Sequence, residues 1–215
     1  MNKIKTIIID DEKLARDLLK SYLAEFDFVE ITDNYPLKGL HNRMNMMAGI
    51  LAAKNAGAHD KPIIEGLMTF QGLEHRLEFV GEYGGIYFYN DSIATIPEAT
   101  IAAISTLPAT DTLILGGYDR MLDYESLIQF LAISQVRNFI FLGNAGKRMF
   151  DGLKGQKMDE QNLRLAGSME EALGLARQLT GVGKICLLSP AAASYDSFQN
   201  FEERGDTFKK IARGF

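Results

Sequence analysis

Cysteine is nearly absent. The 215 residues hold one, Cys186, inside the apolar run Ile185-Cys186-Leu187-Leu188. Those neighbours make it a small buried hydrophobe, and a single thiol excludes disulfides and a cysteine-rich metal site. No tract is apolar enough to span a bilayer. Lys3 and Lys5 lead into a short apolar run that ends at Asp10 and Asp11, which is not the pattern of a secretory leader. The expectation is a cytoplasmic protein with no membrane association. Positive charge is scarce too: Lys and Arg number 23 against 28 Asp and Glu, a net charge of −5. No basic cluster rises above a solvated helix face, which argues against nucleic-acid binding. Any anionic ligand has to be held by local groups.

What is present is the composition of an ordinary globular protein, 47% hydrophobic and 24% charged. The length allows one or two domains at roughly 100–200 residues each. Near the start, residues 5–10 form a β-branched run. Leu14, Leu18, Leu19, Tyr22 and Leu23 then recur at helical spacing, and 28–32 reads as a second strand, a βαβ opening. From Leu37 the chain turns Met- and Ala-rich with a helical period that ends at Gly57, and a short helix is expected over 62–68. Two strands, 76–82 and 86–89, flank a Gly84-Gly85 turn, with a domain boundary near Phe70. Beyond that, strands are expected at 112–115, 138–142 and 184–188. Helices are expected at 97–105, 124–133, 147–153 and 168–179. Repeated βα units imply a mostly parallel sheet with helices on both faces.

The segment from Leu187 to Phe208, LLSPAAASYDSFQNFEERGDTF, carries the most information. An apolar strand runs into Pro190, Ala191, Ala192, Ala193 and Ser194, whose small side chains let backbone N–H groups approach a ligand. Parallel sheets bind ligands just beyond the carboxyl ends of their strands. Gly116 and Gly117, in LILGGYDRMLDY, stand at another such end, where they serve either a tight turn or a close approach.

Two families are resembled. IIIDDEKLARDLLKSYLAEF is similar to the opening of response-regulator receiver domains of the type paired with LytTR DNA-binding regions. That resemblance would make Asp10 and Asp11 Mg²⁺ contacts, but it stops near Asn34 and no later receiver strand is recognisable. The two acids read as surface groups at a strand end, and no metal site is expected. The rest resembles the Mur ligases, in particular the branch that adds D-glutamate to a peptidoglycan precursor, a reaction on which cell-wall biogenesis, cell shape and cell division depend. Gly39-Leu40-His41-Asn42-Arg43-Met44-Asn45 matches the family's Gly-x-His-Asn-x-x-Asn block, which implies that Asn42 and Asn45 face an adenine. His75-Arg76 and Asn90-Asp91-Ser92-Ile93-Ala94-Thr95 match the hinge block. They imply Arg76 toward nucleotide phosphates, Asp91 toward the ribose and Thr95 toward glutamate. Arg120 is matched to the glutamate side-chain carboxylate, which a guanidinium can grip bidentately. Ser194 and Phe201 are matched to the same ligand. Ile93 and Ile96 depart from the commoner Lys and Asn, and loss of a Lys removes a cation from a phosphate-rich site.

The family uses ATP and Mg²⁺ to form an acyl phosphate that the glutamate amine attacks, and this needs a phosphate-binding loop. The one decoy is Gly143-Asn144-Ala145-Gly146-Lys147, where Arg148 replaces the required Ser or Thr. No catalytic residue is therefore assigned, and no cofactor is assigned to this chain itself. The fold expected is α/β: a Rossmann-like C-terminal Mur ligase domain (71–215) with a mostly parallel sheet, after a receiver-like βαβ (1–35) and a helical remnant of the family's central domain (36–70). The implied ligands are D-glutamate and an adenine nucleotide, with a protein partner possible for the opening βαβ. The function expected is a glutamate-adding ligase module, inactive alone; the alternative is a non-catalytic binding or regulatory module.

Overall fold

The computed structural model describes residues 40–156 and 162–215. The receiver-like opening, with Asp10 and Asp11, lies outside them. The chain divides into two compact units between Gln71 and Gly72.

In the first unit, α1 (Leu40–Asn55) is followed by α2 (Asp60–Thr69). Gly57, at φ +87°, ends α1. Gly57 N–H donates to the Lys54 carbonyl and Ala58 N–H to the Ala53 carbonyl, both at 2.9 Å. This paired arrangement satisfies helix carbonyls that would otherwise lack partners, and it needs a residue without a Cβ at the turning point.

The second unit is built on a six-stranded sheet. Its strands are β1 (Glu78–Tyr83), β2 (Ile86–Asn90), β3 (Thr110–Gly116), β4 (Asn138–Leu142), β5 (Leu163–Ala166) and β6 (Ile185–Leu188), in the order β1-β2-β6-β3-β4-β5. The β1–β2 pair is an antiparallel hairpin; every other pairing is parallel. Gly84 and Gly85 make the hairpin turn at φ +57° and +77°, the double positive φ that matches the twist of the flanking strands. Among the described residues, five helices complete the unit: α3 (Pro97–Thr106), α4 (Glu125–Ile133), α5 (Gly143–Gly155), α6 (Met169–Leu179) and α7 (Phe201–Ala212).

All seven residues of β3 are buried, as expected for a strand covered on both faces. Leu113 and Leu115 join Phe139, Phe141 and Leu187 in a core shared with α3, α4 and α5. Ile114, one residue out of phase, joins Phe88, Ile140 and Leu188 in a second core against α6 and α7. Each such side chain contributes about 1.5–3 kcal/mol by leaving water. Cys186 belongs to the second core, and burial pushes its thiol far above the usual range.

Two elements exceed the sequence reading. β5 is only four residues long and has Arg164 in its middle. α7 begins inside the 187–208 segment, where no helix was expected from the sequence. Its start is a reciprocal cap: Asn200 Oδ1 accepts from Glu203 N–H at 2.8 Å, and Glu203 Oε2 accepts from Gln199 N–H at 2.6 Å.

Candidate functional site

Neighbouring strands β2, β6 and β3 all end at one edge of the sheet, and their exit loops (91–96, 189–200 and 117–124) interlock there. Tyr118 N–H donates to the Ala193 carbonyl at 2.9 Å, and Gly116 N–H to the Pro190 carbonyl at 2.8 Å. A Cβ on Gly117 would collide with the Ala193 carbonyl, and one on Gly116 with the Leu142 carbonyl. The two glycines therefore serve close backbone approach, at φ values of +140° and +101° that side chains rarely adopt.

Three of the residues expected to hold glutamate, Thr95, Arg120 and Ser194, stand on these loops, and the fourth, Phe201, directly follows one of them. Arg120 is exposed, and its Nη2 donates to the Thr95 carbonyl at 2.9 Å. Ser194 is buried directly after Ala193, and its carbonyl receives Phe198 N–H at 2.9 Å. Phe201 is the first residue of α7. Its carbonyl accepts from Ser92 Oγ at 2.7 Å, and its ring meets His75 edge-on with centroids 5.9 Å apart. Arg120 thus bonds the backbone of Thr95, Ser194 follows the carbonyl that bridges to Tyr118 two residues before Arg120, and Phe201 is tied to the 91–96 loop through Ser92.

The residues expected to face nucleotide divide differently. Arg76 is exposed between two residues in left-handed backbone, His75 (φ +62°) and Leu77 (φ +45°). Asp91 is buried; Oδ1 accepts from Leu77 N–H at 3.1 Å and Oδ2 from Ser189 Oγ at 2.9 Å. Burial pushes its carboxyl up to about 7, against the opposing pull of the Ser189 and Leu77 hydrogen bonds and the Arg76 charge. Asn42, buried, and Asn45, exposed, lie three residues apart on α1 in the first unit, on one helix face. Ile93, half-buried, donates its N–H to the His75 carbonyl at 3.2 Å. Its side chain brings no cation to the loop.

Among the described residues, the non-glycine positions with positive φ are His75, Leu77, Met121 and Ala191. Two flank Arg76, one follows Arg120, and one stands three residues before Ser194. Each left-handed residue costs roughly 1–2 kcal/mol and persists only where its surroundings hold it. Glu78 Oε2 accepts from His75 N–H at 2.9 Å, and Asp119 Oδ1 from Met121 N–H at 2.8 Å.

Sequence reasoning missed Arg204. It is 2% exposed, and its guanidinium spans two loops. Nε donates to Ser92 Oγ at 2.9 Å, Nη2 to the Ser92 carbonyl at 2.7 Å, and Nη1 to the Ala192 and Ala193 carbonyls at 3.0 and 3.1 Å. Burial lowers its pKa to about 10, with nearby Asp196 pulling the other way. A signal existed: Arg204, Phe208 and Ala212 recur every four residues on the buried stripe of α7.

The decoy phosphate loop is filled by protein. Residues 143–147 form the first turn of α5, Ala145 N–H donates to the Gly117 carbonyl at 3.0 Å, and a Cβ on Gly143 would strike Asp196 and Gly117. Gly146 packs on Phe141 and beneath Gly116. These glycines make room for backbone, and the segment does not fit a nucleotide phosphate. No group of three or more potential metal ligands occurs among the described residues, and no helix among them is long and apolar enough to cross a membrane.

Residues 75–192 match the family model "Mur ligase, glutamate ligase domain". The chain is 39% identical over 182 residues to the UDP-N-acetylmuramoylalanine–D-glutamate ligase of a Thermoanaerobacter species, covering 85% of this chain and 40% of that protein. It is 40% identical over 176 residues to the enzyme of the same name from Acidobacterium capsulatum, covering 82% and 37%. It therefore spans about two-fifths of the length of these curated relatives. Among solved structures, MurF from Acinetobacter baumannii shares the fold with a TM-score of 0.64 at 19% identity, over 81% of this chain and 38% of that one.

Proposed function

The chain belongs to the Mur ligase family, and on that premise we propose that it is the amino-acid-binding module of a cytoplasmic UDP-N-acetylmuramoylalanine–D-glutamate ligase of peptidoglycan synthesis. The observation that carries this reading is the hydrogen bond from Arg120 to the Thr95 carbonyl, beside the Tyr118–Ala193 bridge that leads into Ser194, where three loops lock together at the carboxyl ends of β2, β3 and β6. Arg120 offers the γ-carboxylate of D-glutamate a planar, permanently charged fork at a solvent-open edge. Ser194 and Thr95 supply hydroxyls that accept from the amine or donate to the second carboxylate.

On the same reading, Asn42 and Asn45 present amide donors and acceptors to an adenine edge, Arg76 reaches a phosphate, and Asp91 orients the ribose through the lone pairs that Leu77 and Ser189 leave open. In the family, ATP with Mg²⁺ supplies the activation of the substrate carboxylate. The segment most like a phosphate loop is packed with backbone, which supports reading the chain as a module that binds its ligands without turning them over.

The test is phosphate release from ATP and Mg²⁺ in the presence of UDP-N-acetylmuramoylalanine and D-glutamate, with each omitted in turn. No release is expected with any combination. Release that requires both substrates would overturn the non-catalytic part of the reading and make the chain a ligase in its own right.

A further inference from the structure

Arg204 is an expensive residue to bury, because a cation leaving water must recover its hydration from the protein. Its guanidinium donates to three carbonyls and one hydroxyl. These acceptors belong to Ser92, on the exit loop of β2, and to Ala192 and Ala193, on the exit loop of β6. The third loop converges on the same point. The Ala193 carbonyl accepts both Arg204 Nη1 and Tyr118 N–H, so its two lone pairs join α7 to the exit loop of β3. A Cβ on Gly117 would come within 3.1 Å of Arg204 Nη1.

We propose that Arg204 is the positioning residue of the amino-acid site, setting the spacing between Thr95 and Ser194 by clamping Ser92 on one loop and the 192–193 carbonyls on the other. Ser194 directly follows the clamped carbonyls. Thr95 lies three residues beyond Ser92, across a turn in which Ala94 N–H donates to the Asp91 carbonyl at 2.9 Å. A lysine would keep the charge but has no planar fork with which to hold two loops at once. Methionine would keep the apolar bulk and neither property. The inference rests on the reading of this rim as a D-glutamate site.

The experiment compares Arg204→Lys, Arg204→Met and Ser92→Ala with Phe208→Leu, a change in the same helix that loosens the core without touching the loops. D-glutamate affinity is measured by calorimetry, and amide exchange by NMR at 93–95, 194–198 and in β3. Arg204→Met is expected to weaken binding about tenfold or more, as misplaced contact groups do. It should also speed exchange in both loops together while Leu113–Leu115 stay protected. Arg204→Lys should fall between it and the parent, and Phe208→Leu should leave affinity unchanged.

Equal loss of binding in Phe208→Leu and Arg204→Met, or loosening of one loop alone, would overturn the positioning role. If Arg204→Met fails to fold, Arg204→Lys and Ser92→Ala are held to the same criteria. Should the parent protein not bind D-glutamate at all, the amino-acid reading fails by that result, while joint loosening of the two loops still decides whether Arg204 clamps them.

Discussion

Gly205 of α7 packs directly against His75 of the strained turn before β1: a Cβ at 205 would collide with His75 Nδ1 and lie 2.9 Å from Asn90 Nδ2. The contact lets α7 sit low enough for Arg204 to reach Ser92, and Asn90 Nδ2 holds His75 Nδ1 at 3.0 Å. In an ordinary helix interior, Gly→Ala gains up to about 1 kcal/mol. Here Gly205→Ala is expected to lose about 1–3 kcal/mol, the range for overpacking, in denaturant unfolding. A stabilised variant would show that α7 does not pack as described.

Asp91 makes stability depend on pH. Its folded pKa, about 7, lies above the unfolded carboxylate value, so the folded state keeps a proton that the unfolded state releases. The resulting stability is full below about pH 4 and is lost as pH rises through 7. The size of the loss is of order 2–4 kcal/mol. Unfolding measured from pH 4 to 8 should show this decline, and Asp91→Asn should flatten it. An equal slope in the two proteins would mean that another group is responsible.

Arg120 is exposed, and its guanidinium donates to the Thr95 carbonyl. Arg120→Ala should therefore change stability by no more than about 0.5 kcal/mol, while D-glutamate affinity falls roughly 10- to 100-fold with the loss of a charge-assisted pair. Arg120→Lys should retain part of the affinity. Calorimetry and a melting curve on the same samples separate the two effects.

The decoy loop and α1 predict opposite results for ADP binding. Lys147→Ala should leave ADP affinity unchanged, because the turn it follows is closed by Gly117 and Asp196. Asn45→Ala should weaken ADP binding by about fivefold or more, the loss of one or two hydrogen bonds. Gly143→Ala should destabilise the fold by about 1–3 kcal/mol. A fluorescent ADP analogue reads the first two. Weaker binding in Lys147→Ala would restore the segment as a phosphate loop.

The central strands were legible because β3, β4 and β6 each carry a short apolar run (Leu113–Leu115, Phe139–Leu142 and Ile185–Leu188), and the expected range of β4 matches the structure residue for residue. β5 was hidden by its length and by Arg164. α7 was hidden by its opening charges, of which Glu203 is a cap and Arg204 a buried clamp; only the four-residue recurrence through Phe208 and Ala212 pointed inward. α5 begins four residues earlier than expected, since Gly143 and Gly146, which read as loop, form its first turn and make room for neighbouring backbone. The left-handed residues His75, Leu77, Met121 and Ala191 carry no local signal. Tertiary contacts impose those conformations, and their nearness to Arg76, Arg120 and Ser194 emerges only in three dimensions.

The most direct test of the account is a titration of ¹⁵N-labelled protein with D-glutamate, followed by two-dimensional NMR, with L-glutamate as the comparison. Shifts confined to residues 93–96, 117–121 and 192–201, at lower concentration for the D-enantiomer, are the predicted result. Shifts absent from that edge, or centred on Asp111, Arg137 and Lys184 at the opposite ends of the strands, would contradict it.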